Sequence, residues 1–205
     1  GATISFGSLE STGTNTQLIG TQTVGATTTY SIGALNTDTT FAGGISDGGN
    51  ITTNAATNIT KVGTGSWTLT GTGAHSGTTT ISSGAMFVNG SFIASPIRSL
   101  ASPVTVSSGA TLGGSGSIAG LITTASGANL QPGSSLGTAG TLTAGAGLTL
   151  AGTTTLNFDL SNSTASGNDK ITVNSGTLTL NSATIKLNVN LLNGVLGSGT
   201  YNLID

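Results

Sequence analysis

Cysteine is absent from this chain of 205 residues, and charge nearly so: four Lys or Arg and six Asp or Glu make up 5% of the sequence. The first absence excludes disulfides, thiol chemistry and Cys-based metal sites, without fixing a compartment. The second falls far below the roughly 25% typical of soluble domains and leaves too few titratable groups for an ordinary enzyme. It also leaves no basic stripe with which to hold nucleic acid. Aromatic residues are only 4% of the chain, and proline numbers three. No apolar run approaches the roughly 20 residues that span a bilayer, so this segment is not expected to insert into a membrane. No secretory leader is visible and the first residue is Gly1, so we expect a processed product or an excised segment. Intrinsic disorder fits poorly as well. Disordered chains pair low hydrophobicity with high net charge, whereas here the net charge is -2 and 35% of residues are hydrophobic.

What is present is small and repetitive. The chain holds 34 Gly, 40 Thr, 26 Ser and 16 Asn, more than half of all residues. Helical periodicity is nearly absent, while period-two alternation recurs along the chain. Val104-Thr105-Val106, Leu148-Thr149-Leu150, Ile171-Thr172-Val173 and Leu178-Thr179-Leu180 are short apolar–Thr–apolar units. Leu156 to Leu160 and Ile185 to Leu191 are longer ones. In each, one side is apolar and the other polar, as in a half-buried strand, and Gly-, Ser- or Asn-rich turns separate them. The units belong to a repeat. ISSGAMFVNGSFI, from Ile81 to Ile93, aligns with VSSGATLGGSGSI, from Val106 to Ile118. Further copies are TASGANLQPGS, from Thr124 to Ser134, and the looser VNSGTLTLNSATI, from Val173 to Ile185. A repeat of roughly 18–25 residues with two or three short strands predicts a solenoid coil, with Gly and Asn at positive-φ corners.

Lys61 to Gly90, KVGTGSWTLTGTGAHSGTTTISSGAMFVNG, closely resembles the autotransporter-associated β-strand repeat, also called the passenger-associated transport repeat. TTFAGGISDGG, from Thr39 to Gly49, resembles the lead-in common in such proteins. SPVTVSSGATLGGSGSIAG and LQPGSSLGTAGTLT resemble their continuation, and NDKITVNSGTLTLNSATI with GTYNLID fits their C-terminal part. The resemblance spans 39–205, while 1–38 match only in style; the whole chain, 1–205, reads as one continuous solenoid. His75 stands where the pattern usually has Tyr. The resemblance implies an all-β, right-handed parallel β-helix, secreted or displayed on a bacterial surface, of a kind that serves as stalk, adhesin or scaffold. The repeat itself is non-catalytic in that family, and we expect no translocator barrel within these 205 residues. About ten coils at ~4.8 Å each are expected, spanning on the order of 50 Å.

Chemistry has few residues to draw on: Glu10, Asp38, Asp47, Asp159, Asp169, Asp205 and His75. Paired carboxylates can run polysaccharide cleavage, but these are scattered and lack supporting His or Arg partners. Asp47 sits in an Asp-Gly-Gly turn, where it is expected to bond the local backbone. Asp159 alternates outward on its strand, facing water or Lys186. His75, the sole histidine, has no ligand-type neighbour in sequence and reads as a turn or inter-strand residue. Gly167 to Ile171 resembles half of one calcium-binding nonapeptide, but occurs once, so we expect no metal, no cofactor and no catalytic residue. Trp67 and Phe158 share phase with neighbouring Leu residues and should point into the coil. Phe87 and Phe92 are the candidates for exposed aromatic contacts.

The expected function is therefore a non-catalytic extracellular stalk or adhesin-type segment that presents a Thr/Ser/Asn surface to glycans or to a host or cell surface. The first alternative is a subunit of a filament whose partner is itself. No amphipathic helical cap is visible at either terminus, and the strand-like ends hold Ile4 and Phe6, and Tyr201, Leu203 and Ile204. These are the candidate strands for end-to-end joining or strand exchange. A polysaccharide-active β-helix is the minor alternative.

Overall fold

Alternation of apolar residues with Thr, Asn and Ser produces strands three to six residues long in most cases, and Gly-containing turns separate them. A computed structural model describes residues 1–49, 54–95, 101–135, 137–181 and 184–205. The first coil contributes β1 (Ala2–Phe6) and β2 (Gln17–Ile19); the second, β3 (Thr27–Ile32), β4 (Thr39–Phe41) and β5 (Gly44–Ser46). The third and fourth follow with β6 (Ala56–Lys61), β7 (Ser66–Leu69), β8 (Thr72–Ala74), β9 (Thr79–Ile81), β10 (Ala85–Val88) and β11 (Ser91–Phe92). Next come β12 (Val104–Val106), β13 (Thr111–Gly114), β14 (Ser117–Ile118), β15 (Ile122–Thr124), β16 (Asn129–Pro132) and β17 (Thr141–Ala144). The last are β18 (Leu148–Ala151), β19 (Thr155–Leu160), β20 (Lys170–Val173), β21 (Leu178–Asn181) and β22 (Lys186–Leu191). Among the described residues there is no helix.

Each strand pairs in parallel with its counterpart on the next coil, two strands on for β1 and three for the rest, which makes three sheets running along one axis. Sheet A holds eight strands, β1-β3-β6-β9-β12-β15-β18-β21. Sheet B orders β4-β7-β10-β13-β16-β19-β22, and sheet C orders β2-β5-β8-β11-β14-β17-β20. Isolated bridges Ser11↔Phe41 and Ile171↔Ile204 supply the missing first rung of sheet B and last rung of sheet C. The fold is a parallel β-helix of eight coils rather than about ten. The coils differ in length: the shortest runs from Val104 to Ile122 and the longest from Leu148 to Leu178, and most exceed the repeat seen in the sequence. At about 4.8 Å per coil the axis is roughly 38 Å long.

Constant register turns the inward residues into columns. In sheet A one column runs Ile4, Tyr30, Ile59, Thr79, Val104, Ile122, Leu148, Leu178. In sheet B another runs Thr39, Trp67, Met86, Leu112, Leu130, Leu156, Leu187. Trp67 and Phe158 are buried inside the coil as their phase predicts. Stacking like on like lets small Thr, Val, Ile and Leu fill a narrow interior, because each column buries its members against the coils above and below.

Corners are held by side chains reaching to the next coil. Asn36 Oδ1 accepts from Thr64 N at 2.8 Å, Asp38 Oδ1 from Ser66 N at 2.7 Å, and Asn58 Oδ1 from Thr78 N at 2.9 Å. Asn89 Oδ1 likewise accepts from Ser115 N at 3.1 Å. Such bonds satisfy amides that the bends leave outside the ladders.

One alignment of the repeat falls on different sheets. Ile81, Val106 and Thr124 occupy one column of sheet A, in the order and phase in which their sequences align. Val173, aligned with them, instead ends β20 in sheet C and pairs Ala144. Turn chemistry of the form x-Ser-Gly serves two different corners, so the motif marks a corner without saying which.

Candidate functional site

Among the described residues the apolar columns run through to the first and last coils without a polar cap. At the C-terminal end β21 pairs only with β18, and β22 only with β19, so the underside of the last coil is open. Leu178 and Leu180 on β21, and Leu187, Val189 and Leu191 on β22, continue the buried columns but stand 40–58% exposed. The N-terminal end is the same cross-section from the other side. Ile4 is 42% exposed, and Phe6 is half-buried with its ring 5.9 Å from that of Tyr30. Strands β1, β21 and β22 carry neither Pro nor an inward charge, the devices that ordinarily blunt an edge.

Of the residues marked from sequence, Ile4 and Phe6 lie on the N-terminal edge. Tyr201, Leu203 and Ile204 lie at the opposite end but are only half-exposed. Leu203 O accepts from Ile171 N at 2.8 Å, and Asp205 N donates to Ile171 O at 3.1 Å, so 203–205 already serve as the final rung of sheet C. Tyr201 Oη donates to Ser161 O and accepts from Gly197 N, both at 2.9 Å. The exposed leucines of β21 and β22 were not marked as assembly residues. Their signal was present in part: both strands alternate apolar with polar residues, as the buried strands do.

Phe87 and Phe92 part company. Phe87 points outward and is half-buried, with its ring lying over the Cα of Gly113 on the adjacent strand. Phe92, expected to be exposed, is buried at 1% and meets the His75 ring edge-on at 5.2 Å. In the two-residue β11 it takes the inward phase, and Ile93 goes out instead, at 44%.

The buried titratable side chains are engaged by the scaffold. Asp47, 3% exposed, accepts from Thr57 N at 2.9 Å and from Ser76 N at 3.1 Å, both on the following coil rather than in its own turn. Asp159, expected on the outside, is 1% exposed. Alternation fails at this point of β19, where the turn at Gly137 meets the side chain: Asp159 Oδ2 accepts from Gly137 N and Oδ1 from Asn190 Nδ2, both at 2.6 Å. Asp169 accepts from Gly140 N at 2.7 Å and Asp159 N at 2.8 Å. Burial pushes the Asp169 carboxyl up to about 7, against those two N–H donors.

His75 is fully buried, and burial pushes it down to about 4. Its Nε2 shares a hydrogen bond with Thr79 Oγ1 at 2.9 Å, and Thr79 Oγ1 another with Ser102 Oγ at 2.9 Å. All three residues are enclosed, so neither hydroxyl of this row faces solvent, where a substrate could reach it. Lys61 lies on a sheet A column, 1% exposed, and its Nζ donates to Val62 O, Gly63 O and Ser83 O at 2.7, 3.2 and 3.4 Å. Those three carbonyls match the three hydrogens of the ammonium, which burial makes less basic than usual.

One open cavity brings two carboxylates together. It has a volume of about 910 Å3 and lies on sheet B between Glu10, Asp38, Thr40, Ser66 and Thr68. Asp38 is held below the usual carboxylate range by its bond from Ser66 N, which suits an acceptor and not a proton donor. Among the described residues no group of three or more His, Cys, Asp or Glu is placed to hold a metal ion. Among the described residues one ion pair, Lys170 Nζ with Asp205 Oδ2, ties the final rung to β20. Compared with known protein families, curated proteins and solved structures, the chain matches none of them.

Proposed function

We propose that this chain is a non-catalytic structural β-solenoid, an extracellular stalk or adhesin-type segment displayed on a bacterial surface, whose open ends accept further β-coils. The observation that carries this reading is where the reactive side chains are engaged. Asp47, Asp159, Asp169 and Lys61 are buried and bonded mainly to backbone groups, so they hold corners and coils together rather than facing a substrate. Outward positions are mostly small or polar, as in the row Thr40, Thr68, Phe87, Gly113, Gln131 on sheet B. Such a surface resists changes in salt and offers hydroxyls and amides to glycans. The extracellular setting and the bacterial surface rest on the resemblance of 39–205 to autotransporter passengers.

Small-angle scattering on the dilute chain, paired with a panel of bacterial and host polysaccharides, tests this directly. The expected result is a rod about 38 Å long that leaves every polysaccharide at its starting length. Depolymerisation of any of them, lost on Asp38→Asn, would replace the structural reading with the enzymatic one centred on the Glu10–Asp38 cavity.

A further inference from the structure

We propose that the outward face of sheet A binds the surface of ice crystals, through a ladder of threonines along its middle. This is a function beyond the structural role above. It lies on the sides of the coils and owes nothing to either end of the stack.

Constant register places threonine at the outward centre of sheet A on six successive coils: Thr60, Thr80, Thr105, Thr123, Thr149 and Thr179. Successive rungs stand about 4.8 Å apart. All six side chains reach solvent, Thr105 most fully. Among the described residues, five of the six hydroxyls make no hydrogen bond to the chain, while Thr179 Oγ1 shares one with Thr177 Oγ1 at 3.3 Å. The five hold no corner and no neighbouring coil, so they are available to a partner outside the chain. The other faces are less regular. The outward row of sheet B passes through Phe87, Gly113 and Gln131. That of sheet C passes through Ser91 and Ser117 to Thr172, whose hydroxyl bonds Asp205.

Two properties of the ladder select its partner. Threonine is β-branched and stiff about χ1, so each rung holds its hydroxyl and methyl with little rotational freedom. A hydroxyl both donates and accepts, as water does. Such an array matches a lattice of water molecules, and its repeat is close to the spacing of equivalent oxygens in hexagonal ice. Little ordering remains to be done on contact, and weak contacts at each rung add along the ladder. The second property is the absence of charge. Among the described residues the outward rows of sheet A hold no Asp, Glu, Lys or Arg, and beside the ladder stand residues such as Pro103, Leu121 and Ala125. Glu10, Asp38 and Lys186 belong to sheet B and Lys170 to sheet C, while Lys61 points inward. No hydration shell of an ion has to be stripped where a crystal meets this face. The same described rows hold no aromatic ring, which leaves a sugar nothing to stack on and favours water as the partner.

The test is ice affinity, with thermal hysteresis read on the same samples. The intact chain is added to water freezing slowly on a cold finger, and its concentration in the ice is compared with that in the remaining liquid. The wild-type chain is expected to concentrate in the ice and to hold the freezing point below the melting point. Thr105→Lys and, separately, Thr149→Lys should each lower both readings about tenfold or more, because an ammonium then enters a contact that offers no counter-charge. Gln131→Lys places the same charge on the outward row of sheet B and should leave both readings at the wild-type level. The melting temperature of each protein confirms its fold, and either ladder variant suffices for the comparison. A folded wild-type chain excluded from ice overturns the proposal. So does uptake that survives both ladder variants, or that Gln131→Lys abolishes equally. Capture by crystalline cellulose or chitin in place of ice also overturns it. A rod of the length expected above that cleaves no polysaccharide and is excluded from ice leaves the structural reading standing and removes only this function.

Discussion

Two buried groups give the fold opposed responses to pH. Unfolded, Asp169 ionises near the ordinary carboxylate value, but in the fold only near 7. Between those values the folded state holds the extra proton, so raising the pH through that window costs stability. His75 works the other way: the unfolded chain takes up a proton near 6.5, the fold only near 4, so acidification through that window costs stability. The two slopes, each up to about 1.4 kcal/mol per pH unit, partly cancel between pH 4 and 6.5. Melting curves should separate them. Asp169→Asn is expected to leave a stability that rises from pH 4 to 6.5, and His75→Gln one that falls from pH 4 to 7. Identical pH profiles for both variants and the wild type would refute the assignment. Lys61 offers a third residue-scale prediction. Lys61→Met keeps the length of the side chain but orphans the three carbonyls gathered on Nζ. The expected loss is about 3 kcal/mol in urea unfolding, far above that of a surface Lys change.

Corners, more than strands, decide how the coils stack, and glycine acts there in two distinct ways. Gly71, Gly90 and Gly116 succeed one another at the bend from sheet B to sheet C with no left-handed φ. A Cβ on Gly90 would lie 1.9 Å from Gly71 O, and one on Gly116 1.9 Å from Gly90 O. The absent side chain is what lets one coil sit on the next. Gly109 is the contrary case: φ is +77°, and a Cβ there meets nothing within 4 Å. Gly90→Ala should therefore cost several kcal/mol by backbone displacement, and Gly109→Ala only the ~1–2 kcal/mol of a left-handed residue. Chemical unfolding of the two variants checks the ranking, and equal losses would contradict it. Strand positions were legible beforehand, because alternation states both the element and its buried face; Val104–Val106, Leu148–Leu150 and Leu156–Leu160 lie on strands as read. Asp159 was not, because what engages it is a turn of the coil before, at Gly137. Phe92 was misplaced because two residues carry no period. The exposed Leu and Val of β21 and β22 emerge only once the columns are known.

A stack in which each coil touches only its neighbours is stable roughly as a sum of coil and interface contributions, so the terminal coils, with one interface each, should open first. The residues say the same. Trp67, Leu69, Met86 and Leu112 in the middle are fully buried, whereas β22 is exposed throughout and β1 nearly so. Amide exchange followed by mass spectrometry or NMR should show a gradient in the dilute chain. Amides of β1 and β22 are expected to exchange at least about a hundredfold faster than those of β7, β10 and β13. Protection that is uniform along the chain would contradict the gradient, and with it the additive account of the stack.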